Sequence, residues 1–343
     1  MATLSFKPKQ VVKRLLASLP DRARKVLISR YGLGTDAEPM TLEAIGETYN
    51  ITRERVRQIE NYAFAAVRKA DAYKKEKAAF DELEKVLNAL GCVVAEDECL
   101  RHISTDKSIQ NHIYFLLVLG DSFTKKKADE HFTHRWHVNG EMSDKIESAL
   151  KKLYENLSDV DLIPESEMIS MFLDSLKDVS EEYKTTEVAK RWLGLSKKIG
   201  RNPLGEWGVS ASPNVRAKGM RDFAYLAIRR HGSPMHFTEV AKAIQQLFDR
   251  KAHVATCHNE LIKDKRFVLV GRGLYALAEW GYQGGVVRDV IREILKKNGP
   301  LTKDEIIKKV LKERYVKENT IAVNLQNPAN FKKTKDGRYA LVS

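Results

Sequence analysis

Residues 52–58 bring Thr52, Arg53, Glu54, Arg55, Arg57 and Gln58 together. These side chains can read or grip a nucleic acid. An arginine donates two hydrogen bonds to guanine, a glutamate accepts from the cytosine amine, and a glutamine pairs with adenine. On a helix, Arg53, Glu54 and Gln58 share one side at i, i+1 and i+5, which makes them candidate base readers. Thr52, Arg55 and Arg57 flank that side and suit phosphate oxygens. The other use of so much charge is a solvated helix face, and the residues alone leave both open.

Other chemistries find less support. His131, His134 and His137 form H-x-x-H-x-x-H. They share a helix face only if the segment is helical, they alternate if it is a strand, and they lack the acidic partner of a hydrolytic zinc motif. GRGLYALAEWGYQGG contains glycines without the strand-turn-helix order of a phosphate loop. There is no Walker motif or nucleophile elbow. The three cysteines, Cys92, Cys99 and Cys257, include no C-x-x-C pair and read as reduced thiols. A non-enzymatic protein without metal or cofactor is expected.

The elements around the charged cluster are legible from caps and periodicity. VVKRLLASLP sets Val11, Val12, Leu15, Leu16 and Leu19 on one helix face, and Pro20 ends it. DRARKVLISRY follows, with Ala23, Val26, Leu27 and Tyr31 as its stripe and Gly32 and Gly34 as its stop. Residues 34–39 are a loop. Thr41 caps LEAIGETY, Asn50 turns the chain, and Thr52 caps a second helix whose inner face is Val56, Ile59, Ala63 and Val67. Two helices joined by so short a turn have helix-turn-helix spacing. Nothing breaks the pattern before Gly91, so the second helix is expected to continue as a rod.

Further along, one plan recurs: three helical stretches and then two short strands. Residues 219–282 show it with a GSP turn and a GRG hairpin. Residues 284–343 show it with an NGP turn and a DGR hairpin. Helix-turn-helix plus a two-stranded wing is the physical reading. Residues 80–142 and 143–210 read as degenerate versions, and 209–219 as a linker. IYFLLVLG, residues 113–120, is a buried helix or strand, too short to span a bilayer. The opening MATLSFKPKQ has no signal-peptide core, so a cytoplasmic location is expected.

Charge sorts these regions. The chain carries +13, with 16 Lys+Arg against 9 Asp+Glu in residues 1–80 and 14 against 7 in residues 281–343. Residues 81–280 hold 29 against 30. Both basic ends suit a polyanion such as DNA or RNA. In the last unit Lys332, Lys333, Lys335 and Arg338 decorate the wing, where a phosphate backbone would pass. Exposed lysines also serve solubility.

Residues 19–69 resemble region 4 of bacterial housekeeping-type sigma factors. LPDRARKVLISRYGL is similar to its first half and TLEAIGETYNITRERVRQIENYAFAAVRK to its second, with TRERVRQIE the most specific stretch. The resemblance implies that the first half packs near the flap of the RNA polymerase β subunit and that the second reads the upstream promoter element. It implies base contacts for Arg53, Glu54 and Gln58 and backbone contacts for Arg55 and Arg57. Asn61, Tyr62 and Phe64 depart from the family's small and basic residues. Nothing in the middle of the chain resembles the sigma region that binds the core clamp and melts DNA. Residues 220–280 resemble the HARE helix-turn-helix family, a winged domain also found in the delta subunit of some bacterial RNA polymerases, on HGSPMHFTEVAKAI and RFVLVGRGLYALAEW. That resemblance implies DNA-binding or polymerase-associated roles, and it leaves open whether this unit contacts DNA or protein.

The expected fold is mainly α: a sigma region 4-like helix-turn-helix over 1–79, then tandem winged helices with short β wings. The expected function is a double-stranded-DNA-binding transcription regulator that docks on RNA polymerase through the β flap and cannot open promoters alone. The alternative is a protein-interaction scaffold or adaptor in a polymerase-bound or defence-related complex. No membrane partner is expected.

Overall fold

The helices Leu42–Tyr49 and Arg53–Lys69 begin where the capping residues Thr41 and Thr52 stand. The computed structural model describes residues 4–35, 38–176, 179–282 and 285–342, so two residues of the expected 34–39 loop lie outside the described residues. The chain divides into two compact units, residues 1–200 with 207–210, and residues 201–206 with 211–343.

In the first unit α1 (Pro8–Leu16) starts on a proline, whose missing N–H costs nothing at a helix start. α2 (Asp21–Tyr31) ends at Gly32, which is left-handed at φ 58°. The Thr41 side chain caps α3 (Leu42–Tyr49), and the Thr52 side chain caps α4 (Arg53–Lys69). The α3–α4 turn is built on Asn50, also left-handed at φ 51°.

The expected rod is not formed. α4 stops at Lys69, and Ala70 is extended. α5 (Asp71–Lys75) and α6 (Lys77–Ala89) then redirect the chain. Helical periodicity is continuous here, but burial sets the direction. The breaks place Phe80, Leu83 and Leu87 in one core with Val12, Leu15 and Leu27. Tyr73 packs on Phe80 at 5.0 Å, and Arg68 Nε donates to the Leu119 carbonyl at 2.9 Å.

β1 (Val93–Ala95), α7 (Glu96–Ile103), α8 (Lys107–Leu119), β2 (Thr124–Lys126) and β3 (Arg135–His137) follow. The apolar run at 113–120 lies largely on α8, with Ile113, Phe115, Leu116, Leu117 and Leu119 buried. The sheet order is β1-β3-β2, all antiparallel, with Trp136 opposite both Val94 and Lys125. The large core runs from Val11 to Trp136, so the helix-turn-helix segment and the sheet segment are buried together. α9 (Gly140–Glu155), α10 (Glu165–Asp174), α11 (Thr186–Leu193), β4 (Ile199–Arg201) and β5 (Trp207–Val209) complete this part around a second core that includes Phe132, Phe172 and Trp192.

The second unit holds α12 (Met220–His231), β6 (Met235–His236), α13 (Phe237–Phe248), α14 (Val254–Lys263), β7 (Phe267–Gly271) and β8 (Leu274–Leu277). It continues with α15 (Val287–Asn298), α16 (Lys303–Glu313), α17 (Glu318–Leu325), β9 (Phe331–Lys333) and β10 (Tyr339–Leu341). Each hairpin is joined by an earlier short strand or a single bridging residue that pairs with its last strand. β1 pairs with β3, Ile163 with Trp207, β6 with β8, and Leu301 with Tyr339. These first pairings are the part of the repeated plan that the sequence did not show. A strand of one to three residues is too short to display alternation. The protein is thus mostly helical, with an N-terminal helix-turn-helix and several small antiparallel sheets.

The stretch read as a linker is held down from residue 212 onward. Ser212, Asn214 and Val215 are buried. Arg266 donates to Asn214 Oδ1 at 3.1 Å and to Asp222 Oδ1 at 2.9 Å, and its contacts to Asp264 include one of 2.7 Å. Among the described residues no helix is long and apolar enough to cross a membrane.

Candidate nucleic-acid interface

A helix-turn-helix works only if its turn is rigid, and here the backbone enforces that. Ile51 N donates to Gly46 O at 2.9 Å. A Cβ on Gly46 would sit 2.6 Å from the Ile51 carbonyl oxygen, so only glycine lets the turn close this tightly. Val26, Ile45 and Val56 are fully buried beneath the turn, with Met40, Leu42, Tyr49 and Ile51 against them. Arg55 N donates to Thr52 Oγ1 at 3.2 Å, satisfying one of the free amides at the start of α4.

With the buried side of α4 fixed by Val56, Ala63 and Val67, helical periodicity sets the opposite side. It carries Glu54, Arg57, Gln58 and Asn61, at i, i+3, i+4 and i+7, all exposed. Arg53, expected on one side with Glu54 and Gln58, is instead exposed at its margin with Arg55. Arg57, expected on the flank, lies on the outward side, because one residue along a helix turns by about 100°. Every candidate base reader already has a partner. Arg53 pairs with Glu43 at 2.8 Å, two side chains that are 69% and 54% exposed. Glu54 accepts from Arg57 Nε at 2.9 Å and from its Nη2 at 2.7 Å. Gln58 Oε1 accepts from Arg55 at 3.0 Å. The hydrogen bonds from Arg57 hold the Glu54 carboxyl below the usual range, and the same bonds raise the Arg57 guanidinium. The surface is therefore a set of exposed hydrogen-bonded pairs, Arg53 with Glu43, Arg57 with Glu54 and Arg55 with Gln58.

Sequence reasoning missed two features. Glu43, on α3, holds Arg53. Phe64 packs against Phe115 of α8 at 5.7 Å and edge-on to Tyr31 at 5.8 Å. Phe64 thus anchors α4 to the unit's own core, a role no local signal could reveal. α2 is covered on both sides. Val26 faces the small core, while Ala23 and Leu27 enter the large one with residues of α1 and α8. Asn111 Nδ2 on α8 also donates to Gly32 O at 3.0 Å. One opening beside α2 is a groove of about 640 Å³, with Val12, Leu16, Ile28 and Leu33 in its lining and Lys9 and Lys13 exposed beside them.

The second set of candidates lies in the other unit. Lys332, Lys333, Lys335 and Arg338 are all exposed on the β9–β10 hairpin. Lys332 stands opposite Ala340 and Lys333 opposite Tyr339. The turn closes with Thr334 N donating to Arg338 O at 2.7 Å.

The three histidines do not converge on one helix face. His137 is buried in β3, and burial lowers its pKa. His134 Nδ1 accepts from Ala128 N at 3.0 Å. Among the described residues no group of His, Cys, Asp or Glu could hold a metal ion. Cys92, Cys99 and Cys257 are buried and unbridged.

Comparison with known proteins concerns the amino-terminal segment. Residues 15–69 match the family described as Sigma-70, region 4. The RNA polymerase sigma factor SigA of Clostridium acetobutylicum is 41% identical over 73 residues, covering 21% of this chain and 19% of that protein. The RNA polymerase sigma factor SigA of a Nostoc species is 49% identical over 57 residues, covering 17% of this chain and 14% of that protein. The chain spans less than a fifth of the length of either relative. The matched residues contain α2, the capped α3–α4 turn and the whole outward side of α4, so this segment resembles sigma-factor region 4.

Proposed function

We propose that the chain is a regulator of bacterial transcription that binds duplex DNA through α4, associates with RNA polymerase, and does not open promoters by itself. The observation that carries this reading is the outward side of α4. Its readers are exposed on a helix-turn-helix made rigid by Gly46 and Asn50, within the segment similar to sigma region 4. Arg53, Glu54 and Gln58 contact bases, while Thr52, Arg55 and Arg57 contact phosphates. The β-flap partner takes the groove beside α2, the opening that α1 and α8 leave. The four repeats of helix, short strand, two helices and hairpin act as winged helices, and residues 220–280 as the HARE-like member.

A randomised duplex library tests the DNA assignment. Arg53→Ala or Gln58→Ala relaxes preference at single positions by about 1–3 kcal/mol each. Arg55→Ala weakens binding to all duplexes and flattens the salt slope by about one unit. If the two classes of variant behave alike, the base-reading assignment is wrong. A second reading, a protein-interaction scaffold, draws support from the neutral middle of the chain, 29 basic against 30 acidic residues in 81–280. Under it, DNA affinity survives charge reversal at Arg55 and Arg57.

A further inference from the structure

α17 differs from the helices that precede it in the same basic region. α15 exposes Arg288, Arg292 and Lys296, and α16 exposes Lys308, Lys309 and Lys312. These are ordinary solvated faces. α17 buries Ile321 and Leu325 and turns the opposite side to solvent. That side consists of Asn319, Thr320 and Val323 on the helix and Gln326 at its end. Val323 is 59% exposed. The side-chain amides of Asn319 and Gln326 form no hydrogen bond to any described residue. The one charged residue of the helix is Glu318 at its start.

A solvated face in a region carrying 14 Lys+Arg against 7 Asp+Glu has no reason to exclude charge. A face that meets base edges does. Amides donate and accept together, which matches the N6 and N7 of adenine, and an exposed methyl pair fits the thymine methyl. The cations needed for phosphates stand on the hairpin that follows α17 directly, at Lys332, Lys333, Lys335 and Arg338. The helix is also the second of the pair preceding a hairpin, the position that a groove-reading helix occupies in a helix-turn-helix.

We propose that α17 and the β9–β10 wing form a second duplex-DNA site that selects A·T base pairs. The site deepens the reading of the chain as a DNA-binding protein and is independent of α4. The full-length protein selects from a randomised duplex library in three forms: wild type, Arg53→Ala, and Asn319→Ala with Gln326→Ala. The wild type enriches two separate sequence blocks, one of them A·T-rich. The double variant loses about tenfold in preference for the A·T-rich block and keeps the other, and Arg53→Ala does the reverse. A fourth form, with Lys332, Lys333 and Lys335 changed to Gln, weakens binding to every sequence and lowers the salt slope by about three units. Thermal melting checks that each variant stays folded, since all these positions are exposed. If the double variant selects the same sequences as the wild type, or only one block exists and Arg53→Ala abolishes it, α17 is not a reader, and the α4 assignment stands wherever Arg53→Ala loses its block. If Arg53→Ala changes nothing and the double variant loses its block, the α4 assignment fails and the α17 site stands.

Discussion

Arg57 and Glu54 show how one ion pair changes the meaning of a substitution. Both are exposed on the outward side of α4, and Arg57 makes two hydrogen bonds to the Glu54 carboxylate. Removing Arg57 takes away a cation and also leaves the Glu54 carboxylate unneutralised at the proposed duplex interface. Arg57→Ala is therefore expected to weaken duplex binding more than Arg55→Ala, whose partner is the neutral Gln58. Adding Glu54→Gln to Arg57→Ala recovers part of the loss. Fluorescence anisotropy on one duplex at fixed salt measures all three; equal losses for the two arginines would contradict the pairing. Gly46 governs the scaffold beneath. Alanine there overpacks against the Ile51 carbonyl for about 1–3 kcal/mol, while its helix propensity returns at most about 1 kcal/mol. Denaturant unfolding of Gly46→Ala should show a net loss of stability, and a variant as stable as wild type would show that the turn can relax.

At the scale of elements, caps and half-buried ion pairs decide which helices stay docked. Thr52→Ala removes the hydrogen bond to the Arg55 amide at the start of α4 and should cost about 0.5–2 kcal/mol, with weaker binding to duplex DNA under the proposed function because the first turn carries the readers. In the second unit Arg266 ties β7, α12 and residue 214 together through Asp222 and Asp264. Burial pushes the Asp222 carboxyl up. The Gly219 and Lys218 amides and Arg266 more than offset this, leaving it below the usual value. Burial raises Asp264 as well, and hydrogen bonds from Arg266 overcome it. A carboxyl depressed in the folded state stabilises fully above its unfolded pKa of about 3.9, and that stability is lost as pH falls through the folded value. Acid titration followed by circular dichroism should show the second unit losing stability below about pH 4, with a shallower slope in Asp222→Asn. An unchanged slope would mean that Asp222 does not contribute.

For the whole molecule, the proposed function is binding rather than melting. The two ends are basic, +7 in residues 1–80 and +7 in residues 281–343, with a neutral stretch between them. Core RNA polymerase plus this protein alone is expected to leave promoter DNA closed. When a complete sigma factor is added, the protein changes the extent of initiation. Permanganate footprinting reads both. A reactive bubble around the start site without another factor would show that the middle of the chain does more than bind.

Much of this was legible locally. Thr41, Asn50 and Thr52 mark the helix ends because a cap or a left-handed turn involves only the residues beside it. The inner faces of α1, α2 and α4 follow from helical periodicity, and TRERVRQIE carries its own likeness. The hairpins of residues 267–277 and 331–341 were visible in their glycine turns. Other features were decided by residues far apart in the chain. The break at Ala70, the burial of α2 between two cores and the stacking of Phe64 on Phe115 all depend on which surfaces the fold brings together to exclude water. The first strands of the repeats are too short to carry a pattern and exist through partners tens of residues away, Ile163 through Trp207 and Leu301 through Tyr339. Caps, turns and periodicity are local in sequence. Burial and strand pairing are not, and so only the tertiary structure settled them.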